Sequence, residues 1–119
     1  MVKVLVCEDD HIVVKVIEIA LQNKNAQTTF VKDGRKALDQ LRTNNFDLII
    51  TDIHMPFNNG DEVLKLVREE QKKRTPIIMI SSDTEEEVIK LALKSGVDDF
   101  ISKPIDTATL DKTLKKYLS

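Results

Sequence analysis

The sequence has few of the residues that mark specialised sites: it contains no tryptophan, one tyrosine, one cysteine, three glycines and three prolines. A single cysteine, Cys7, excludes an internal disulfide and fits a reducing compartment. The 20 acidic and 18 basic residues nearly balance, so the chain lacks the basic excess of a nucleic-acid-binding protein. The apolar run near Met1 is too short for a signal peptide or a membrane span. We therefore expect a cytoplasmic protein that binds neither nucleic acid nor membrane directly.

Short apolar runs alternate with segments of helical periodicity, without a linker or an internal repeat. This pattern predicts one domain over residues 1–119. Three of the runs are continuously apolar, which is typical of strands covered on both faces of a parallel sheet. Strict alternation favours a doubly wound α/β fold with a five-stranded parallel sheet and helices on both faces. The predicted strands are Val2–Cys7, Gln27–Val31, Leu48–Thr51, Ile77–Ile80 and Asp99–Ile101.

The last two predicted helices carry most of the local signals. Gly96 is a candidate C-terminal cap for the fourth helix, and Asp106 or Thr107 a candidate N-cap for the fifth. In the fourth helix, the spacing of Val88, Leu91 and Ala92 predicts a stripe that faces the core. A second apolar pair, Ile89 and Leu93, lies away from that stripe, and we interpret it as either flank packing or a partner contact.

Polar side chains follow four of the predicted strands. The first strand runs into Glu8-Asp9-Asp10, the third ends at Asp52, the fourth runs into Ser81-Ser82-Asp83, and the fifth precedes Lys103. Since parallel strands of such a sheet place ligands at their carboxyl ends, we expect these side chains to converge, with Asp9 and Asp52 at two buried strand ends. Clustered carboxylates repel one another and need a compensating charge. Magnesium supplies it, since it prefers oxygen ligands and needs only one or two carboxylates.

These residues also carry a family resemblance that extends over the whole chain. The sequence resembles the receiver domains of two-component response regulators, which have the flavodoxin-like strand order 2-1-3-4-5. No single motif is specific, but their order and spacing together are. The matching segments are 6–10, 47–56 with Gly60, 76–82 and 99–104.

The resemblance implies a role for each residue at the strand ends. Asp52 would be the phosphoacceptor, Lys103 the lysine that pairs with the phosphoryl group, and Ser81 the hydroxyl that bonds it. Asp9 would bind Mg²⁺ directly together with Asp52, and Glu8 would bind it through water. The backbone carbonyl of His54 would be a further ligand, Phe100 would be the aromatic switch, and the Lys103–Pro104 bond would be cis. Three more residues, Asp10, Ser82 and Asp83, would flank the site.

The implied phosphodonor is a sensor histidine kinase or a histidine phosphotransfer protein. Phosphorylation would control binding to a downstream protein, to an effector domain of the same chain or to a second copy in a phosphorylation-dependent dimer. The surface that makes this contact would comprise the fourth helix, the fifth strand and the fifth helix. Such a domain assists its own phosphorylation and is not a turnover enzyme. A free-standing shuttle, a regulatory part of a transcription factor or hybrid kinase, and a binding module that takes no phosphate all remain open.

Enzymes and carriers of related fold fit the residues less well. A flavodoxin-like electron carrier would place an FMN phosphate where Glu8-Asp9-Asp10 would repel it, and the chain has almost no aromatic residues to stack a flavin. A phosphatase of the haloacid dehalogenase type needs a second acid two residues after its nucleophile, where this chain has His54. A zinc site lacks ligands, because Cys7 is expected in the core and the two histidines are distant in sequence.

Overall fold

The computed structural model describes residues 1–22, 24–53, 60–82 and 85–118. Within these residues the chain forms a parallel sheet of five strands in the order β2-β1-β3-β4-β5. The strand order and the α/β class predicted from the sequence are confirmed, and each strand begins and ends within one residue of its predicted bounds. The strands are β1 (Val2–Cys7), β2 (Ala26–Val31), β3 (Leu48–Asp52), β4 (Ile77–Ser81) and β5 (Asp99–Ser102).

The helices that connect the strands lie on both faces of the sheet. They are α1 (His11–Leu21), α2 (Gly34–Thr43), α3 (Gly60–Lys65), α4 (Glu86–Lys94) and α5 (Thr107–Leu118), and a π-helical turn, Leu66–Glu70, continues α3. Among the described residues, we find no helix long and apolar enough to cross a membrane.

Side-chain alternation along the strands divides the core into two layers. Leu5, Cys7 and Met79 pack with α2, α3 and α4, whereas Val6 and Ile50 pack with α1 and α5. Because successive strand residues point to opposite faces, each central strand fills both layers, which explains its continuously apolar sequence. The same alternation decides where the residues that follow each strand will point.

Two predicted caps are confirmed. Gly96 follows the C-cap of α4 with a φ of 114°, a conformation that glycine adopts without the strain a side chain would bring. Asp106 caps α5, since its carboxylate accepts hydrogen bonds from the backbone N–H and the hydroxyl of Thr109.

The predicted core stripe of α4 is wrong at Leu91. Ala92 is the buried residue of this helix, whereas 65% of Leu91 is exposed. Leu91 borders a groove of about 610 Å³ between α3 and α4, whose opposite wall includes Ile53 and Leu64. Helical spacing identifies the face of a helix but not how closely a neighbouring helix approaches it. Within the part of the chain that the structure describes, the groove keeps Leu91 from packing against α3.

Candidate functional site

The register of the two central strands brings Glu8 and Asp52 together. Cys7 of β1 lies opposite Thr51 of β3, so the next residue of each strand falls at the same level of the sheet edge. By the alternation of side chains along their strands, both carboxylates point toward the core layer that packs with α1 and α5. Only 1% of Glu8 and 5% of Asp52 is exposed. The first acidic residue after β1 and the last residue of β3 therefore form a buried pair.

Lys103 joins this pair from the end of β5. Its Nζ donates to Glu8 Oε1 at 2.8 Å and to Asp52 Oδ2 at 2.9 Å. The Lys103 backbone N–H donates to the Ser81 carbonyl at 2.8 Å, which links the ends of β4 and β5. The Lys103–Pro104 peptide bond is cis, as the resemblance implied. Residues that are distant in sequence thus form one ionic cluster.

The electrostatics of the cluster follow from its burial. Burial raises the pKa of Glu8 from 4.5 to about 7; Lys103 opposes this shift and the neighbouring Asp52 adds to it. Burial works against the charged form of Lys103, but its hydrogen bonds to Glu8 and Asp52 outweigh that effect and raise the pKa of Lys103. The ammonium group of Lys103 therefore stays charged at neutral pH beside Glu8 and Asp52.

Three carboxylates in this cluster offer a donor set for a metal ion. One oxygen from each of Glu8, Asp9 and Asp52 lies within 4.8 Å of the others. Among the described residues, Glu8 Oε2 is buried and has no hydrogen-bond partner. A donor set of oxygens alone suits a hard cation such as Mg²⁺ better than zinc. The residues present therefore fit the predicted ion.

The structure corrects one detail of the predicted acidic pair. Asp9 was expected with Asp52 at buried strand ends, but Asp9 is exposed and Glu8 is the buried member. Alternation along β1 is the signal for this, since Val4, Val6 and Glu8 point the same way. Whether Asp9 binds the ion directly and Glu8 through water stays a prediction.

The other predicted site residues differ in position. The carboxylate of Asp10 caps α1 by accepting from the N–H groups of Ile12 and Val13, and Asp10 is not one of the three clustered carboxylates. Ser81 is fully buried at the end of β4, whereas Ser82 is exposed. His54 and Asp83 lie outside the described residues.

Phe100 lies on the same face of the sheet as Ser81. Phe100 pairs with Met79, and Met79 and Ser81 are two residues apart on β4, so all three point toward the α2–α4 layer. Phe100 is half-buried and packs against that layer. This arrangement places the predicted aromatic switch diagonally beside the predicted hydroxyl.

Comparisons with known proteins agree with this geometry. The response regulator receiver domain model matches residues 4–115. Response regulator ArlR of Staphylococcus saprophyticus is 37% identical, over 99% of this chain and 53% of ArlR. The chain therefore spans about half the length of the curated relatives it matches.

Solved structures show the same similarity. The receiver domain of Francisella response regulator 1452 has a TM-score of 0.89 and 34% identity, covering 99% of this chain and 97% of that domain. The receiver domain of sensor histidine kinase PA1611 from Pseudomonas aeruginosa, which has a magnesium ion coordinated in its active-site cleft, has a TM-score of 0.83 and 26% identity, covering 98% and 97%.

Proposed function

The chain belongs to the response regulator receiver domain family of two-component signalling, and on that premise we propose that Asp52 accepts a phosphoryl group in a magnesium-dependent reaction. The observation that carries this proposal is the contact between Lys103 and Asp52, at 2.9 Å, beside the carboxylates of Glu8 and Asp9. One edge of the sheet thus carries the proposed nucleophile Asp52, the cation Lys103 and carboxylates that can bind a second cation.

Glu8, Asp9 and Asp52 would hold the ion, with the backbone carbonyl of His54 as a further ligand implied by family membership. The bound ion supplies positive charge that offsets the negative charge of the phosphoryl oxygens. The magnesium ion described for the PA1611 receiver domain supports this assignment. Glu8 Oε2, which is buried and has no hydrogen-bond partner among the described residues, supports it from this chain's own geometry.

The chain's own residues then perform the transfer. A carboxylate oxygen of Asp52 attacks the phosphorus of a phosphohistidine on the partner; the new O–P bond forms as the N–P bond to the histidine breaks. Lys103 neutralises charge on the phosphoryl oxygens as a point charge, and the Ser81 hydroxyl donates to one of them. Because phosphoryl transfer depends mainly on positioning and charge, these three side chains would supply the protein's part of the transfer, and the bound Mg²⁺ would supply the remaining positive charge.

The partners follow from the family. The phosphodonor is a sensor histidine kinase or a histidine phosphotransfer protein. The chain is a phosphoacceptor that assists its own phosphorylation and dephosphorylation, not an enzyme that turns over an external substrate. Ser81 moving toward the phosphoryl group would let Phe100 follow, which changes the α4-β5-α5 surface and its affinity for a target.

The proposal is tested by incubating the protein with Mg²⁺ and acetyl phosphate and measuring its intact mass. The wild type should gain one phosphoryl group, and a chelator should prevent the gain. Asp52→Asn should gain none, whereas Asp39→Asn, on the exposed side of α2, should behave as the wild type. Equal labelling of Asp52→Asn would refute the assignment.

A second use of the same domain has a specific observation in its favour. The chain matches 53% of ArlR, a response regulator, so it corresponds to a regulatory part of a longer protein there. In that case the output is an effector domain of the same polypeptide and not a separate target. The reading frame that follows the codon for Ser119 distinguishes a free-standing receiver from a regulatory part.

A further inference from the structure

Gly60, the first residue of α3, lies against the backbone of the proposed phosphoacceptor. An alanine methyl group at this position would lie 2.6 Å from the Asp52 carbonyl oxygen and 3.1 Å from Ile53 Cα. Both of these contacts are to backbone atoms, which cannot move aside as the end of a flexible side chain does. The nearest side-chain atom is the terminal methyl group of Met79, at 3.3 Å. The absence of a side chain at Gly60 therefore allows α3 and β3 to approach this closely.

The Asp52 peptide unit is held from several sides. The Thr51 hydroxyl donates to the Asp52 carbonyl at 3.0 Å, and the Ile53 N–H donates to the Ile80 carbonyl of β4 at 3.0 Å. The Gly60 N–H closes the arrangement by donating to the Ile53 carbonyl, also at 3.0 Å. The start of α3 is thus tied directly to the residue that follows Asp52.

Neither side of this contact can easily give way. Asp52 and Ile53 are fixed to β4, and α3 is anchored in the core through the buried side chains of Val63 and Leu64. Reaching an ordinary contact of 3.4 Å would need a displacement of about 0.8 Å at position 60. Displacements of that size at a reacting group cost about a hundredfold in rate, because transfer needs the nucleophile in line with the phosphorus.

We infer that Gly60 is a positioning residue for Asp52, an inference that rests on the proposed function. Because Gly60 has no side chain, α3 can hold the Asp52 backbone where the carboxylate lies in line for transfer. Gly60 has no side chain with which to bind the phosphoryl group or the metal. Its effect passes through the Asp52 carbonyl and the Ile53 peptide group.

The test compares Gly60→Ala with Gly96→Ala, a control that strains the backbone elsewhere. Gly96 has a φ of 114° and lies before β5, at the opposite end of that strand from Lys103. Both variants and the wild type are measured in trimethylamine N-oxide, which favours the compact state, after cooperative unfolding has been verified. With Mg²⁺ and acetyl phosphate, Gly60→Ala should be phosphorylated about ten- to a hundredfold more slowly than the wild type. Gly96→Ala should stay within about twofold of it, although its stability also falls.

A rate for Gly60→Ala within about twofold of the wild type would overturn the inference, whatever its stability. If Gly60→Ala does not fold, Thr51→Val decides instead, because it removes the hydrogen bond to the same carbonyl without adding volume; a wild-type rate would then overturn the inference. If the wild type gains no phosphoryl group, the proposed function fails, and amide hydrogen exchange at Ile53 tests the positioning alone. Faster exchange in Gly60→Ala than in Gly96→Ala supports it, and equal exchange refutes it.

Discussion

Lys103 and Glu8 form an ion pair between opposite parts of the sheet, with Lys103 Nζ 2.8 Å from Glu8 Oε1. Lys103 follows β5 and Glu8 follows β1, so β3 and β4 lie between the strands that carry them. The Glu8 side chain is inaccessible to solvent, whereas 19% of the Lys103 side chain is exposed. A buried carboxylate in this position depends on its counter-ion, so we expect Lys103 to matter for the fold as well as for the proposed phosphoryl transfer.

Lys103→Met should therefore lower the free energy of unfolding by about 2–4 kcal/mol at pH 8 without metal, because it leaves two buried carboxylates without their cation. Mg²⁺ affinity should stay the same or increase, since a nearby positive charge is removed, and phosphorylation should slow. Urea unfolding, magnesium titration and intact mass measure the three effects. Lys112→Met, at an exposed position of α5, is the matched control. Wild-type stability and wild-type phosphorylation together would show that Lys103 has neither role.

The fold was predictable from the sequence because its signals are local. Strand positions follow from continuously apolar runs, and the meeting of Glu8, Asp52 and Lys103 follows from the rule that parallel strands end at one edge. Alternation along β1 could have indicated that Glu8 is buried and Asp9 is not. The exposure of Leu91 depends on the distance between α3 and α4, which periodicity does not encode. The close approach of Gly60 to Asp52 also needs coordinates, because a glycine in a sequence does not reveal which backbone lies against it.

Removing a carboxylate from the cluster should stabilise the protein when no metal is added. Asp9→Ala relieves repulsion with Glu8 and Asp52 and should raise the free energy of unfolding by about 1 kcal/mol, a small value because Asp9 is exposed and solvent screens its charge. Asp52→Ala should also stabilise, but loss of its hydrogen bond to Lys103 opposes the gain, so Asp9 gives the cleaner test.

Adding Mg²⁺ should reverse the order of stability, because the ion stabilises the wild type through a ligand that Asp9→Ala lacks. Urea unfolding with and without MgCl₂ measures both effects. Asp39→Ala, at an exposed position of α2, should respond to Mg²⁺ as the wild type does. An Asp9→Ala protein that gains as much from Mg²⁺ as the wild type would exclude Asp9 from the metal site, and one that is less stable without metal would contradict the predicted repulsion.

The stability of the metal-free protein should depend on pH through Glu8. Burial raises its pKa from 4.5 to about 7, so folding takes up a proton between those values. The contribution of Glu8 to stability is fully present below pH 4.5 and is lost as the pH rises through 7. Because glutamine does not ionise, the stability of Glu8→Gln does not change with pH in this way. Its free energy of unfolding relative to that of the wild type should increase by about 2–3 kcal/mol from pH 4.5 to pH 8.

Urea unfolding at a series of pH values measures that difference. Glu87→Gln, at an exposed position of α4, should show no change relative to the wild type over the same range. Parallel stability profiles for Glu8→Gln and the wild type would mean that Glu8 has the same pKa in the folded and unfolded states, which contradicts the prediction.

The two exposed leucines of α4 allow the proposed output surface to be tested separately from the groove beside α3. Leu93 is 45% exposed and Leu91 is 65% exposed, and at 100° per residue they lie on nearly opposite sides of the helix. Leu91 borders the groove toward α3, whereas the spacing of Leu93 with the half-buried Ile89 continues the second apolar stripe.

If phosphorylation promotes dimerisation through the α4-β5-α5 surface, Leu93→Ser should weaken the phosphorylated dimer at least tenfold, which corresponds to about 1.4 kcal/mol. Leu91→Ser removes more exposed apolar surface from the same helix and should nevertheless leave the dimer unchanged. Sedimentation velocity of each protein, with and without acetyl phosphate, measures the association, and urea unfolding verifies that both variants remain folded. A phosphorylated wild type that stays monomeric would exclude self-association as the output, and a loss of the dimer in Leu91→Ser but not in Leu93→Ser would place the interface in the groove between α3 and α4.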